Sequence, residues 1–556
     1  MDIKNIIQHY FAADANHPDG KRTLYHPVYK HPEFDAAVSH FDSKERLPIL
    51  IDLIKSYMKE TGKQTVKILD IGCGEGYFEF RLREEFGDRI QLTGVDSNKG
   101  SIELANAINN ENHWDIEFKL SHHMNQLIES IQPDEYDIVL LFNVLHWTSL
   151  QEGGWQNTRK WVEDLSLKVP VLLLELAGYD TAHPNRVPGD YKKYFQNIKF
   201  FIKLTEFKHF SSHEMRPFIV ASNHYFYIQK RFWKIDQYRP SFHKMRRAFL
   251  SKDHLMKIVY KNMTDLTNWG EMPAENAVKE MKRELENISL NMSFTPTCIY
   301  FEETSDYFCM LLKLKHVGVS YITFDHIENK ILNILENLIE AESHGLYHYD
   351  LTKTNIMEDK THHAFMIDCG AFTQKNILSG GNQIAVFANP HTNLNSYDAF
   401  MSLVWELLTR KEDCFVTQLL EGTVVPTVFF DENAHIPDNY KNFFKSFYAL
   451  ARNTISFSKI RELFVRYVQQ NASLTLSETE QKIYNAHYEL RRNEQENIQN
   501  AICFKITEYT LKNEKIPNLQ REINTLRGRI YHVLSLNPFL RKKRKYYQKK
   551  WYQYKS

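Results

Sequence analysis

The chain has 556 residues, which is too many for one hydrophobic core, and two or three domains are therefore expected. Its 43% hydrophobic and 13% aromatic residues are typical of globular proteins, and its formal net charge of zero gives no sign of a nucleic-acid partner. No run of 18 apolar residues exists and the N-terminus lacks the apolar core of a signal peptide, so we expect neither a membrane-spanning helix nor a leader. The six cysteines form no CxxC pair, which favours free thiols in a reducing cytosol.

The first 230 residues show alternating predicted helices and strands. Residues 1–65 are expected to be mainly helical. An apolar strand at 66–71 is followed by predicted elements at 76–86, 90–95, 100–109, 136–142 and 169–176. This alternation indicates a parallel sheet covered by helices, and residues 218–228 are predicted to be a late strand of the same domain.

A glycine-rich turn follows the first of these strands directly. Gly72, Gly74 and Gly76 have GxGxG spacing, and glycine lets the backbone turn tightly and approach a ligand closely. Asp70 lies at the end of the strand before the turn. Asp96 ends the next strand, where an acid bonds ribose hydroxyls. The pattern predicts a site for S-adenosylmethionine (SAM); a dinucleotide site is the alternative, but it prefers GxGxxG.

The methyl acceptor is expected at the carboxyl edge of the same sheet. A third strand ends there in Asn143 and His146. Methyl transfer to a hydroxyl usually requires a general base, which His146 could supply. Transfer to a phosphate requires no base but positive neighbours, for which Arg216 is a candidate, although a structural salt bridge explains this arginine equally well.

A second catalytic pattern occurs further along the chain. Residues 348–355 read HYDLTKTN and residues 367–370 read IDCG. In phosphotransferases of the protein-kinase type, Asp350 would orient or deprotonate the acceptor hydroxyl, and Asn355 and Asp368 would bind Mg²⁺. The pattern therefore predicts ATP-dependent phosphoryl transfer.

Upstream of this pattern, Lys257 lies on a predicted strand and would bind the ATP phosphates. Glu286 on the following helix would pair with it, with Glu284 as the competing choice. The loop before Lys257, at 242–253, has no glycine, so the hairpin that covers the phosphates must differ from that of protein kinases. No APE motif follows Asp368, which favours a sugar or other small acceptor over a protein.

The last 80 residues are predicted to be an extended helix. From Leu519 to Val533 apolar residues keep 4,3 spacing, which favours a coiled coil; a long helix packed on its own kinase lobe is the alternative. The tail, RKKRKYYQKKWYQYKS, combines cations with aromatic residues and fits an anionic membrane surface. Nucleic acid is the alternative partner for this tail, and we do not expect the tail to bind it.

The stretches LDIGCGEGYF, GVD and FNVLHW together are similar to class I SAM-dependent methyltransferases. By that resemblance, Gly72 and Gly74 would line the methionine moiety and Asp96 the ribose. The segment TLYHPVYKHPEF would close over the cofactor, with Tyr25 as a candidate contact, and Arg46 would be a candidate for the methionine carboxylate.

With LYHPVYKHPEF, GLYHYDLTKTNIM and IDCGAF included, the whole layout resembles the bifunctional kinase–methyltransferases that terminate polymannose O-antigen chains in Gram-negative bacteria. The implied fold class is multidomain α/β plus α+β. It comprises a Rossmann-like class I methyltransferase sheet (1–230), a bilobal protein-kinase-like domain (231–474) and a C-terminal helical coiled coil with a basic tail (475–556).

The resemblance also implies a function. The enzyme would phosphorylate the non-reducing terminal sugar of a lipid-linked O-antigen polysaccharide with ATP and Mg²⁺ and then methylate that phosphate with SAM. It would be a homo-oligomer, expected to be a trimer, recruiting a mannosyltransferase to the cytoplasmic face of the inner membrane. The alternative is a SAM methyltransferase for a glycan hydroxyl, an RNA or a small molecule, with a regulatory or degenerate kinase-like domain.

Overall fold

The structure is a computed structural model, and it describes residues 2–12, 22–24, 26–34, 43–146, 154–177, 188, 190–208, 215–240, 245–261, 266–267, 270–271, 274–316, 319–348, 351, 353–374, 396–409 and 436–486. The chain divides into two compact units. The first comprises Met1–Ser251, Leu255–Glu271 and Glu302–Cys309, and the second Lys252–His254, Met272–Phe301 and Met310–Ser556.

The first unit contains alternating helices and strands, as the sequence predicts. Its helices are α1 (Ile3–Tyr10), α2 (Ser43–Thr61), α3 (Tyr77–Phe86), α4 (Lys99–Glu111), α5 (Met124–Ser130) and α6 (Trp155–Lys168). Its first strands are β1 (Phe11–Ala12), β2 (Arg22–Thr23), β3 (Val66–Ile71), β4 (Ile90–Asp96), β5 (Glu117–Leu120), β6 (Ile138–Phe142), β7 (Val171–Glu175), β8 (Phe200–Lys208) and β9 (Met215–Ser222).

Seven of these strands form one sheet in the order β5-β4-β3-β6-β7-β9-β8. The five strands from β5 to β7 are parallel, whereas β9 runs antiparallel to both β7 and β8. The predicted parallel, helix-covered sheet is confirmed in these five strands, and the sheet as a whole is mixed because β9 lies antiparallel between β7 and β8. β3 and β6 are neighbours at the centre, so their carboxyl ends share one edge of the sheet.

The core of this unit lies on both faces of the sheet. Every residue of β7 is buried, and in β3 only Lys67 is exposed. Such continuous apolar strands are characteristic of parallel sheets covered by helices. The predicted strand at 218–228 is split, because β9 ends at Ser222 and a new strand begins at Tyr225.

Short antiparallel strands follow: β10 (Tyr225–Ile228), β11 (Arg231–Lys234), β12 (Gln237–Pro240), β13 (Arg246–Ser251), β14 (His254–Tyr260), β15 (Leu266–Thr267), β16 (Gly270–Glu271), β17 (Thr297–Glu303) and β18 (Tyr307–Lys313). A five-stranded sheet has the order β12-β13-β14-β18-β17. Much of the glycine-free segment predicted to be a loop is strand β13, which pairs with β12 in antiparallel fashion.

The remaining elements belong mainly to the second unit. Its helices are α7 (Ala274–Ser289), α8 (Ile327–Ser343), α9 (Ser396–Thr409), α10 (Asp438–Tyr448) and α11 (Phe457–Phe464). Its short strands are β19 (Ser320–Tyr321), β20 (Tyr347–His348), β21 (Ile356–Glu358), β22 (Ala364–Met366) and β23 (Phe372–Thr373). The predicted heptad seam and basic tail lie outside the described residues.

Candidate functional site

The glycine turn after β3 has the backbone conformation that its sequence requires. Gly74 and Gly76 have φ angles of 55° and 79°, in the left-handed region that disfavours other residues. A Cβ at Gly76 would lie 2.8 Å from the Phe118 ring, and one at Gly74 would lie 3.4 Å from the imidazole of His26. A side chain at Gly76 would therefore clash with Phe118, and the positive φ disfavours one at Gly74.

Asp96 is fixed at the end of β4 beside this turn. Its Oδ2 accepts a hydrogen bond from the Gly74 backbone N–H at 3.0 Å, and its Oδ1 accepts one from the Asn98 N–H at 2.7 Å. The side chain is buried. The structure thus brings Asp96 and Gly74 together, as a site for the ribose of a nucleoside cofactor requires.

Asp70 lies below the turn, and its closest acidic neighbour is Glu79 in α3, a residue that sequence reasoning did not single out. Both side chains are buried, and neither carboxyl oxygen of Glu79 has a hydrogen-bond partner among the described residues. Burial raises the pKa of Asp70 to about 7. Burial, and then the charge of Asp70, raises the pKa of Glu79 well above its ordinary value.

A polar network occupies the carboxyl ends of β6 and β7. Asn143 directly follows β6 with a φ of 59°, and its backbone N–H donates to the Glu175 carbonyl at 2.9 Å. Its Nδ2 donates to Glu175 Oε1 and its Oδ1 accepts from Arg216 Nη1, each at 2.7 Å. These three bonds hold Asn143 in an unfavourable backbone conformation, a feature that concentrates at functional sites.

Arg46 belongs to the same network. Its Nη2 donates to Glu175 Oε1 at 2.7 Å, and its Nε bonds Oε2 of the same carboxylate. Glu175 is fully buried and Arg46 is 6% exposed. The predicted role of Arg46 toward a methionine carboxylate stays a prediction, and the structure adds Glu175 as its partner, which lies 129 residues away in sequence.

Two further residues of the predicted site are His146, which follows β6 in sequence, and Tyr25, which precedes the sheet. His146 is half-buried, three residues after Asn143. Tyr25 lies outside the described residues, but its neighbour His26 stacks on Tyr77 with ring centroids 5.8 Å apart. Because His26 also borders Gly74, the segment that was predicted to close over the cofactor does reach the glycine turn.

In the second unit, the structure brings the two predicted metal ligands into the same neighbourhood. The backbone N–H of Ile367, the residue before Asp368, donates to the Asn355 carbonyl at 3.1 Å. The buried His348 donates through Nε2 to the Asp368 carbonyl at 3.1 Å, so this bond joins residue 348 to the segment that contains Asp368. Asp350 lies outside the described residues.

An amide oxygen and a carboxylate are suitable ligands for Mg²⁺, which is usually held by one or two protein oxygens together with substrate phosphates. Asn355 and Asp368 fit that arrangement. Among the described residues no group of three or more His, Cys, Asp and Glu side chains is placed to hold a metal ion by itself.

Helix α7 packs against the segment that contains Asp368. Arg283 Nε donates to the Gly370 carbonyl and Asn287 Nδ2 to the Cys369 carbonyl, each at 2.7 Å. Gly370 permits this approach, because a Cβ there would lie 2.9 Å from the Glu280 carbonyl oxygen. The segment that contains the predicted metal ligand Asp368 is thus fixed by side chains that were not predicted.

Burial distinguishes the two candidate glutamates on the same helix. Glu286 is exposed, whereas Glu284 is 1% exposed and lies on the buried face with Ala277, Met281 and Ile288. Residues two apart point in different directions on a helix, so only one of the pair can face the interior. Glu284 is therefore the better candidate for the helical glutamate. Lys257 on β14 is 9% exposed, and its role toward ATP stays a prediction.

No helix within the described part of the chain has the length and apolar character needed to cross a membrane.

Comparisons with known proteins show similarity to methyltransferases and to a bifunctional methyltransferase/kinase. A family model described as a methyltransferase domain matches residues 62–161. Two curated proteins of Escherichia coli, each described as an O-antigen chain terminator bifunctional methyltransferase/kinase WbdD, are 24% identical over 370 residues, which is 63% of this chain and 51% of theirs. The chain thus spans about half the length of the curated relatives it matches. A ribosomal protein L11 methyltransferase of Dictyoglomus turgidum is 32% identical over 90 residues, 16% of this chain and 26% of its own.

Solved structures extend the match over most of the chain. A medium-resolution structure of the bifunctional kinase-methyltransferase WbdD superposes with a TM-score of 0.62 at 19% identity, covering 88% of this chain and 100% of that one. Another, with its C-terminal bundle ordered, gives a TM-score of 0.63 at 20% identity and covers 88% and 97%. Residues 62–161 therefore form a methyltransferase domain, and the chain is homologous to a bifunctional methyltransferase/kinase and shares its fold.

Proposed function

We propose that the protein terminates a bacterial O-antigen polysaccharide by phosphorylating its non-reducing terminal sugar with ATP and then methylating that phosphate with SAM, which limits chain length. The observation that carries this proposal is that one chain, homologous to a chain terminator, holds both a glycine turn with Asp96 beside it and the Asn355–Asp368 pair. Two activities on one chain are best explained by consecutive steps on one acceptor.

In the phosphorylation step, Asn355 and Asp368 would hold Mg²⁺, and the ion would supply positive charge to offset that of the transferring phosphoryl group. Asp350 orients the acceptor hydroxyl and takes its proton. Lys257 binds the ATP phosphates, and we assign the helical glutamate to Glu284 in place of Glu286. The contacts of α7 with Cys369 and Gly370 support this assignment, since they fix the chain immediately after Asp368.

In the methylation step, SAM supplies an electrophilic methyl group on its sulfonium. The Gly72–Gly74 backbone and Asp96 hold the cofactor, with Asp70 and Gly76 completing the turn. A phosphate oxygen is already anionic at neutral pH, so it can attack the methyl group without a general base. Arg216, positioned by Asn143 at the carboxyl edge of the sheet, is suited to bind that phosphate. Transfer to a hydroxyl would instead use His146 as base.

The remaining parts of the proposal concern the acceptor and the location. We infer a terminal mannose as acceptor, a trimeric assembly through the C-terminal helix, and binding of the basic tail to the cytoplasmic surface of the inner membrane, where a mannosyltransferase is the partner. These inferences rest on the resemblance and on the sequence of residues 475–556.

The test uses the purified full chain, a synthetic mannose oligosaccharide and mass spectrometry of the glycan. The proposal predicts a gain of one phosphate with ATP and Mg²⁺, and a further methyl group only when SAM and ATP are both present. Methyl gain with SAM alone would favour the alternative, a hydroxyl methyltransferase with a regulatory kinase-like domain. No change to the glycan would exclude it as the acceptor.

A further inference from the structure

A buried carboxylate links the side chains at the carboxyl edge of the methyltransferase sheet. Glu175 is the last residue of β7 and is fully buried. Both oxygens of its carboxylate accept hydrogen bonds from the Arg46 guanidinium, and Oε1 accepts a further one from Asn143 Nδ2 at 2.7 Å. Because these groups are removed from water, their hydrogen bonds must be made to one another and in a defined geometry.

The amide of Asn143 has one favourable orientation in this network. A carboxylate accepts hydrogen bonds and a guanidinium donates them, whereas an amide group does both. Because the amide nitrogen donates to Glu175, the amide oxygen lies on the other side, where it accepts from Arg216 Nη1 at 2.7 Å. A reversed amide would place its oxygen against the carboxylate and its nitrogen against the guanidinium. Glu175 therefore orients the amide, and the amide positions Arg216.

The direction of β9 explains why Arg216 is found at this edge. Arg216 is the second residue of β9, and Phe218 of the same strand pairs with Glu175 in antiparallel register. The amino end of β9 therefore lies beside the carboxyl ends of β6 and β7, where sheets of this type bind ligands. A parallel strand in the same place would carry its second residue to the opposite edge of the sheet.

Aromatic side chains surround this network. The Arg46 guanidinium lies 5.1 Å from the centre of the Phe207 ring. Phe207 packs against Phe218 with ring centroids 5.8 Å apart, and Phe142 packs against Phe218 at 5.4 Å. Apolar surroundings reduce screening by water, so hydrogen bonds to charged groups are stronger here and misdirected ones are more costly.

We propose that Glu175 is a positioning residue that sets the affinity of the methyl-acceptor site for a phosphorylated chain end, by orienting Asn143 and, through it, Arg216. The inference rests on the proposed function, in which Arg216 binds the phosphate that accepts the methyl group. Glu175 has two effects on that phosphate. Its negative charge opposes phosphate binding, whereas its hold on Asn143 favours binding by keeping Arg216 in a fixed direction.

Glu175→Gln separates these two effects, because glutamine has a similar shape but no charge and only one acceptor oxygen. The donors of Arg46 and Asn143 then compete for that oxygen, and the new amide nitrogen can donate to Asn143 Oδ1 and reverse the Asn143 amide. If positioning dominates, the KM for the phosphorylated acceptor rises about three- to tenfold. If Glu175 acted only as a negative charge, its removal would lower that KM.

The assay uses the purified full chain and a mannose oligosaccharide phosphorylated chemically at its non-reducing end. Initial rates of methyl transfer are measured without ATP and at saturating SAM, since Glu175 also contacts Arg46. The expected result for Glu175→Gln is a raised KM with a kcat that changes by less than about twofold, because the site for the acceptor is altered and the methyl donor is not.

Asn143→Gly removes the amide that transmits the effect. Asn143 has a φ of 59°, a conformation that glycine adopts without strain, so the backbone of the turn is kept. The KM for the phosphorylated oligosaccharide should rise about as much as in Glu175→Gln. The double variant should show no further rise, because both residues act through one contact and their effects are then not additive.

Glu60→Gln is the matched control. Glu60 pairs with Arg231 at 3.3 Å, but it lies near the end of α2, which leads into the amino end of β3 at the opposite edge of the sheet. This variant should keep the wild-type KM.

An unchanged or lowered KM in a folded Glu175→Gln would overturn the proposal. An unchanged KM in Asn143→Gly would also overturn it, even if Glu175→Gln failed to fold. Absence of methyl transfer to the phosphorylated oligosaccharide by the wild type would instead contradict the proposed function.

Discussion

Replacing Gly370 by alanine is predicted to slow phosphorylation but not methylation. In Gly370→Ala the new Cβ would lie 2.9 Å from the backbone oxygen of Glu280 and 3.3 Å from the Cβ of Glu284. A backbone atom cannot rotate away, so α7 and the segment after Asp368 must separate. This change weakens the 2.7 Å hydrogen bonds that Arg283 and Asn287 donate to this segment.

The magnitude follows from the cost of overpacking, which is about 1–3 kcal/mol for an added methyl group in a packed site. If that cost falls on the arrangement that binds Mg²⁺, phosphorylation slows by roughly 5- to 150-fold, since each 1.36 kcal/mol is about tenfold in rate. Initial rates of phosphate gain on the oligosaccharide measure this effect, and methylation of a chemically phosphorylated oligosaccharide should be unchanged.

Gly345→Ala is the matched control. Gly345 has a φ of 70°, but a Cβ added at this position would have no atom within 4 Å. The variant therefore introduces a backbone strain of about 1–2 kcal/mol without disturbing α7. It should phosphorylate the oligosaccharide at the wild-type rate. If Gly370→Ala phosphorylates at the wild-type rate with an unchanged melting temperature, the steric reasoning is refuted.

Three further predictions concern single side chains. Arg216→Gln should raise the KM for the phosphorylated acceptor about tenfold or more, because a hydrogen bond to a charged group contributes about 1.5–3 kcal/mol. The affinity for SAM should be unchanged. Methyl-transfer kinetics with an unchanged KM would exclude Arg216 from the acceptor site. Glu284→Gln should slow phosphorylation at least about tenfold, and Glu286→Gln should not; the opposite result would restore the choice made from sequence. Because the folded protein raises the pKa of Asp70 to about 7, its stabilising proton is present at low pH and is lost as the pH rises toward 7. Urea unfolding from pH 5 to 7.5 should therefore show the wild type losing stability relative to Asp70→Asn, by at most about 1.4 kcal/mol per pH unit, and parallel curves would contradict the raised pKa.

The parts of the site that sequence predicts well are those that depend on local chain geometry. The predicted strand at 66–71 is observed as Val66–Ile71, and the glycines follow it with positive φ, because such a turn can be formed only by particular residues. Asp96 is found beside Gly74 because parallel neighbouring strands end at one edge.

The parts that sequence could not supply depend on packing between distant segments. Arg46 and Glu175 are 129 residues apart, and no periodicity links them. The Asp70–Glu79 pair looks in sequence like two ordinary acids, and only the fold shows that both are buried. Glu284 and Glu286 occur in the same polar stretch, and their difference arises from which face of α7 contacts the segment around Gly370.

The antiparallel edge of the sheet was missed for a similar reason. β9 is buried almost throughout, like the parallel strands, so its direction cannot be read from composition. The connection between β8 and β9 is only six residues long, whereas a parallel crossover needs a dozen or more.

The most direct test of the account is the order of the two reactions. The Asp368→Ala variant, which cannot bind the metal needed for phosphorylation, is incubated with SAM and either a mannose oligosaccharide or the same oligosaccharide phosphorylated chemically at its non-reducing end. The account predicts methyl gain on the phosphorylated glycan alone. Methylation of the unphosphorylated glycan, or none on the phosphorylated one, would contradict the claim that the methyl acceptor is the phosphate.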